Sequence, residues 1–313
     1  RETGRTYFER NEANPLEEDL IIVDEASMLD ISLFYHLLCA LKDGARLILV
    51  GDIDQLPPVG AGEPLKDLMS WGYVPIVRLK RIFRQEEGSG IVENAALIRK
   101  GEMCVPDEAG EFRIVYAADD EDAYRIVMDL CRELNYGNEE NKMLLQVLSP
   151  MYRGVCGVDH LNESLQEMIH GEKVPDGMKF FPGDKVMQTR NDYEKGIYNG
   201  DVGTVWTATP QKVFVRYFDK EVVYEGEERF DLRLAYAVTV HKSQGSEYET
   251  VIFILRPSQH NMLQRNLLYT GVTRARKNTI LVTAPDALRR ALAIQHTGNR
   301  YSLFLPFLNH EAL

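Results

Sequence analysis

The chain reads as an α/β protein built on buried parallel strands, with a small all-β barrel set into its second half. Three observations carry that reading. Two runs of β-branched residues and leucine, Leu20-Ile21-Ile22-Val23 and Leu47-Ile48-Leu49-Val50, stop abruptly at polar residues, as strands covered on both faces do. Between and after them, apolar residues recur at helical spacing. From residue 181 to 231 the period falls from 3.6 to two, and turn residues arrive every few positions.

The first run delivers Asp24 and Glu25 to its carboxyl end, the end at which open α/β sheets bind ligands. Two carboxylates there suit magnesium and water, one holding the ion and the other orienting a nucleophile. Asp24 is the metal candidate and Glu25 the candidate base. A competing reading makes both acids caps of the next helix, whose apolar positions are Ile31, Phe34, Leu37, Leu38 and Leu41. The second run ends in Gly51-Asp52-Ile53-Asp54-Gln55-Leu56-Pro57-Pro58-Val59-Gly60. Gly51 permits a tight exit from the strand and the proline pair stiffens the loop. Gln55, with both a donor and an acceptor, is then held where it senses a terminal phosphate or its replacement water. Helices at residues 64–72 and 91–100, the latter closed by Gly101, complete this segment.

Asp119-Asp120-Glu121-Asp122 opens a further helix with Ala123, Ile126, Val127, Leu130, Cys131 and Leu134 on one face, the acids complementing the helix dipole. Residues 143–148 predict a buried strand, and a helix carrying Leu161, Leu165 and Met168 follows. Short β segments at 186–189, 202–206, 213–218 and 222–224 are parted by turn signals such as Asn199-Gly200, a pattern that suits a small barrel. Lys185, Arg190 and Lys195 lie on or near its first strand, either within reach of phosphates or as a solvated face. Strands at 236–240, 251–255 and 279–282 and a helix at 264–275 then resume the α/β pattern. The predicted domains are 1–101, then 102–180 and 233–313 as one discontinuous domain, with the barrel at 181–232 between its parts.

The 313 residues carry 36 lysines and arginines against 48 acids, a net charge of −12. Any grip on nucleic acid therefore comes from local basic grooves and not from the field of the whole molecule. Cys39, Cys104, Cys131 and Cys156 form no Cys-x-x-Cys pair, which argues against structural zinc or a disulfide framework. Reduced thiols fit a cytoplasmic protein. Apolar stretches stay short of the ~18 residues of a membrane span, so no membrane partner is expected.

Five segments in order resemble the motifs of superfamily 1 DNA helicases of the RecD/TraA type. Asp24-Glu25-Ala26-Ser27 is similar to motif II and Gly51 through Gly60 to motif III. Arg78-Leu-Lys-Arg-Ile-Phe-Arg84-Gln85 resembles motif IV, Thr239-Val-His-Lys-Ser-Gln-Gly-Ser-Glu247 motif V, and Tyr269-Thr-Gly-Val-Thr-Arg-Ala-Arg276 motif VI. The resemblance implies two RecA-like domains with an inserted SH3-like barrel, ATP and Mg²⁺ between the two domains, and 5′-to-3′ movement on single-stranded DNA toward duplex junctions in recombination or repair. It also implies Arg84 and Arg274 on the γ-phosphate, where a guanidinium fork stabilises spreading charge, and Glu247 on the ribose. Gly245 would let backbone approach the nucleotide. Thr239, His241 and Lys242 are DNA-contact candidates, His241 with a core position as its alternative.

One part of such a motor is missing from these residues. No Gly-rich loop ending in Gly-Lys-Ser/Thr occurs, although that loop cradles the phosphates. The expectation is the C-terminal part of a larger helicase, inactive by itself, whose partners are its own N-terminal half and, where the parent works in a nuclease complex, the other subunits. A nucleic-acid-binding module without catalysis is the alternative.

Overall fold

The computed structural model describes residues 8–79, 88–175, 177–295 and 304–309. The chain divides into two compact units, residues 1–81 with 296–313, and residues 82–295.

In the first unit, β1 (Leu20–Val23) and β2 (Arg46–Leu49) pair in parallel, Leu20 opposite Arg46 and Val23 opposite Leu49. Helix α1 (Ile31–Cys39) starts at Asp30, whose Oδ1 accepts from Leu33 N–H at 2.8 Å, and α2 (Pro64–Trp71) starts on a proline. The indole of Trp71 donates to Leu308 O in the short helix Phe304–Leu308, and Phe304 meets Phe34 edge-on. The strands are parallel as expected but are not covered on both faces. Leu20, Ile22 and Ile48 are 45–60% exposed, because the pleat turns alternate side chains to the side that none of the described elements covers.

The second unit opens with α3 (Gly90–Lys100) and β3 (Phe112–Tyr116), followed by α4 (Asp120–Glu133), α5 (Glu139–Leu144), β4 (Leu145–Ser149) and α6 (Val158–His170). The acidic run does open a helix, with Asp119 Oδ1 accepting from Asp122 N–H at 2.8 Å. Met143 and Leu144, expected in a strand, close α5 instead. Asn138 caps that helix and Lys142 in its last turn bonds Gly183 O, so local capping wins over the apolar run.

An antiparallel sheet follows: β5 (Lys185–Gln188), β6 (Val202–Ala208), β7 (Lys212–Arg216), β8 (Glu221–Glu225) and β9 (Leu232–Leu234), ordered β8-β7-β6-β5-β9. Val186, Val205, Val215, Tyr224 and Leu232 fill its interior. The chain then re-enters the parallel sheet through β10 (Ala237–Thr239), β11 (Tyr248–Leu255), α7 (Arg265–Val272), β12 (Ala275–Thr283) and α8 (Pro285–Ala293), giving the order β10-β4-β11-β12-β3. Its core packs Val147, Ile252, Ile254, Ile280 and Val282 against Val127 and Cys131 of α4 and Leu161 and Leu165 of α6. The architecture is α/β, a RecA-like parallel sheet interrupted by an SH3-like barrel.

Barrel and parallel sheet share buried polar groups. Fully buried Asp184 accepts from Tyr236 OH at 2.9 Å on Oδ1 and from Phe181 N–H at 2.7 Å on Oδ2, and His170 Nε2 lies 2.8 Å from the same Oδ1. Lys185 donates to Leu145 O at 3.1 Å and Gln146 Oε1 at 2.9 Å. It is 1% exposed, so it is neither a phosphate contact nor part of a solvated face. Lys195 is tied to Glu228 at 2.5 Å, and Arg190 lies 3.4 Å from Asp231.

Candidate functional site

In the first unit the site is built where β1 ends. Glu25 holds φ 51 and ψ 36, a left-handed conformation uncommon outside glycine. Its N–H donates to Asp24 Oδ1 at 2.8 Å, while Ala26 N–H donates to Val50 O at 2.8 Å. The turn is thereby pinned to the end of β2. Glu25 precedes a short 3₁₀ turn, Ala26–Met28, and its side chain makes no capping bond there. Asp30 caps α1, so the helix-cap reading of the two acids loses its main support.

Gly51 serves a different purpose from the one its place after a strand suggests. Its φ is not positive; a Cβ would stand 2.8 Å from Ser27 N and 2.9 Å from Leu65 Cδ2. The residue is small because the Asp24–Ser27 turn lies against it. The loop beyond is held by Asp52, whose Oδ1 accepts from Asp54 N–H at 3.0 Å, and by the buried Pro57 and Pro58. Ser27, Asp52, Gln55, Glu63 and Lys66 line one cleft, so the structure brings the two loops together. Ser27 Oγ is buried there with no hydrogen-bond partner among the described residues, a polar atom the sequence reading passed over. Asp24 is exposed, and among the described residues no three His, Cys, Asp or Glu side chains cluster as a metal cage. Magnesium takes one or two carboxylates and completes its shell with phosphate and water oxygens, a demand that an exposed carboxylate at a strand end such as Asp24 can meet. Arg84 lies outside the described residues.

The second unit carries the remaining candidates around the segment joining β10 to β11. Thr239 is 5% exposed and its Oγ1 accepts from Lys242 N–H at 3.2 Å. Its hydroxyl organises the turn that carries Lys242. Ser243 Oγ donates to Val240 O at 2.8 Å in the same turn. His241 and Lys242 are half-buried, and Lys242 Nζ bonds Asn199 Oδ1 across to the barrel. Gly245 has φ +76 with open space where a Cβ would stand. Glu247 accepts from Arg276 Nε at 2.8 Å. Arg274 is 2% exposed, donating from Nε to Thr270 O at 3.1 Å and from Nη1 to Ser246 O at 3.2 Å. Its fork ties the end of α7 to the loop carrying Gly245. Asn199, read only as a turn residue, and Arg276, read only as the last residue of a motif, are the contacts that sequence reasoning missed.

Asp24, Glu25 and Gln55 thus belong to the first unit, and Thr239, His241, Lys242, Gly245, Glu247 and Arg274 to the second. A RecA-like α/β architecture is what such a fold and such loops define.

Known proteins narrow the class. Residues 4–113 match an AAA domain, residues 161–217 the SH3 domain of ATP-dependent RecD-like DNA helicases, and residues 234–282 a UvrD-like helicase C-terminal domain. An ATP-dependent RecD2 DNA helicase from Deinococcus radiodurans is 37% identical over 96% of this chain and 41% of its own length. A RecBCD enzyme subunit RecD from Mycolicibacterium smegmatis is 33% identical over 95% of this chain and 56% of its own. The chain therefore spans about half the length of the curated relatives it matches. Among solved structures, a Bacteroides Pif1 helicase in complex with ADP-AlF3 and single-stranded DNA superposes with a TM-score of 0.57 at 20% identity, covering 98% of this chain and 78% of that one. That likeness is one of fold. The chain belongs to the RecD-like helicase family.

Proposed function

We propose that this chain supplies the working parts of an ATP-dependent DNA helicase that moves 5′ to 3′ on single-stranded DNA and opens duplex at junctions during recombination or repair in the cytoplasm. The observation that carries the reading is Glu25, held in a left-handed conformation directly after Asp24 at the end of a parallel strand. Folding gains nothing from that strain, whereas a base aimed at a nucleotide does. Its support from relatives is the RecD2 helicase at 37% identity.

Asp24 would hold Mg²⁺, which supplies charge neutralisation on the phosphates of ATP. Glu25 orients and deprotonates the attacking water, and Gln55 senses the terminal phosphate. In the second unit Glu247 takes the ribose and Gly245 admits backbone to the nucleotide. Arg274 and Arg84 answer the charge that develops on the γ-phosphate. His241 and Lys242 contact the DNA backbone, with Thr239 holding their turn. Relatives named as RecBCD subunits support partner subunits of a nuclease complex as one setting.

The 313 residues contain no Gly-Lys-Ser/Thr loop, so the chain by itself is expected to turn over no ATP. That same observation favours a second reading, a DNA-holding module without hydrolysis. One experiment separates them: in a protein that joins this chain to the family's phosphate loop, Glu25→Gln keeps ATP binding and loses DNA-stimulated hydrolysis. Turnover surviving within a few-fold removes Glu25 from the role of base. No hydrolysis by the unmodified joined protein leaves the binding module.

A further inference from the structure

We infer that Ser27 is a positioning residue for hydrolysis: its hydroxyl donates to the side-chain oxygen of Gln55 and so turns the amide N–H groups of Gln55 toward the terminal phosphate. The inference rests on the motor reading above and adds to it the contact through which the turn carrying Asp24 and Glu25 and the loop carrying Gln55 act as one.

Ser27 is 8% exposed, and its Oγ has no hydrogen-bond partner among the described residues. A buried hydroxyl left without a partner costs stability, so its position calls for another cause. A serine in a helical turn commonly satisfies itself on a carbonyl three or four residues back. Here the carbonyl four back, Val23 O, accepts from Val50 N–H at 2.8 Å. The backbone gives the residue no retreat. On either side of it, Ala26 N–H donates to Val50 O at 2.8 Å and Met28 N–H to Glu25 O at 2.9 Å. Gly51 packs so closely that an added Cβ would stand 2.8 Å from Ser27 N. The hydroxyl is thereby held beside the cleft, two residues beyond Glu25.

The other groups of the cleft select the partner. Ser27 shares it with Asp52, Gln55, Glu63 and Lys66. Asp52 Oδ1 accepts from Asp54 N–H at 3.0 Å, and Glu63 Oε2 lies 3.5 Å from Lys66 Nζ. Both carboxylates thus already hold their own segments. Gln55, whose N–H donates to Asp52 O at 3.3 Å, brings a neutral amide with an oxygen that accepts and a nitrogen that donates. The oxygens of a terminal phosphate only accept, so an amide that senses them must present its N–H side. A serine donor on the amide oxygen fixes that orientation; without it the two ends of the amide compete for the site. Both backbones are held, so the contact is made by side-chain rotation. Arrival or loss of the phosphate at Gln55 is then felt at the turn carrying Glu25.

The test has two arms. In the full chain, Ser27→Ala is expected to leave the denaturation midpoint of the first unit equal to that of wild type or above it, because the hydroxyl has no partner to lose. A lower midpoint would make the hydroxyl a structural group and overturns the inference. In the protein joined to a phosphate loop, Ser27→Ala should lower kcat for ATP by roughly 10-fold, the scale of one lost hydrogen bond, while KM for ATP stays within about 2-fold. Ser27→Ala combined with Gln55→Ala should lose no more than Gln55→Ala alone, since without the amide the hydroxyl has nothing to orient. Losses that multiply, or full turnover by Ser27→Ala, overturn the inference and leave the motor reading standing. Absence of hydrolysis by the unmodified joined protein overturns both.

Discussion

Lys185 on the first barrel strand donates to Gln146 Oε1 on β4 of the parallel sheet at 2.9 Å, in a place neither shares with water. Burial lowers its pKa to about 7, with the nearby Lys142 ammonium adding to the effect. Tyr136 and Tyr248 face the same amine with their rings, and Glu139 pairs with Lys142 at 2.8 Å. The lysine joins two structures that the chain must assemble around each other.

A pH dependence follows from that burial. The folded-state pKa lies below the unfolded value of ~10.4, so between about pH 7 and pH 10 the unfolded chain binds more protons and stability rises with pH. Lys185→Met removes this contribution. Thermal melts of both proteins from pH 7 to 9.5 should show a steeper rise for wild type, whatever the offset from the two acceptors left unpaired. Parallel curves would mean that the amine is solvated in the folded protein.

The close approach at Gly51 gives a second expectation. Ser27 N is backbone pinned between β1 and β2, so an added methyl at 2.8 Å cannot be met by a rotamer change alone. Gly51→Ala should destabilise the first unit by ~1–3 kcal/mol, read as a lower denaturation midpoint. Gly44→Ala is a poor control because its φ is +80. A Gly51→Ala midpoint equal to wild type would show that the turn can retreat.

Tyr248–Leu255 was legible in the sequence because burial in a parallel sheet leaves a local mark, and Leu20–Val23 was legible from its β-branched apolar run although none of its residues is buried. Strand β3 was not: Phe112-Arg113-Ile114-Val115-Tyr116 sits at the sheet edge, and its mixed pattern carries no such mark. Strand β9 is three residues long and is defined only by its partner β5. The placement of Asp24 and Glu25 at the end of β1 was legible because the apolar run stops abruptly at them. The environment of Lys185 and the bond of Arg274 to Ser246 O were not, since they depend on residues 40 and 28 positions away. A lysine in a β segment looks the same on paper whether its amine reaches water or Leu145 O.

Arg274 bridges two carbonyls with one planar fork, so its loss is expected to act on the loop carrying Gly245 as well as on any nucleotide. Lysine offers no fork of this shape. Arg274→Lys should therefore resemble Arg274→Ala, both speeding amide exchange across residues 241–247 while β11 keeps its protection. In the protein joined to a phosphate loop, both should cut ATP hydrolysis steeply with little effect on DNA affinity in the absence of nucleotide. A lysine variant with wild-type exchange and turnover would show that a point charge suffices. Equal losses of turnover and nucleotide-free DNA affinity would instead assign Arg274 to the strand contact.

Glu25 provides the sharpest separation of stability from chemistry. A left-handed conformation costs a non-glycine residue roughly 1–2 kcal/mol, and glycine escapes that cost while paying ~0.5–1 kcal/mol in chain entropy. At most positions glycine is less stable than alanine; at φ 51 the order should invert. Glu25→Gly is expected to unfold at a higher denaturant concentration than Glu25→Ala, by the equivalent of ~1 kcal/mol. Neither variant should support hydrolysis in the joined protein, since both lack the carboxylate. If alanine proves the more stable, the backbone at this turn is not held in the left-handed region in solution. If the order inverts and activity is lost in both, the first unit carries a carboxylate whose backbone position costs stability, as expected of a residue placed for reaction and not for folding.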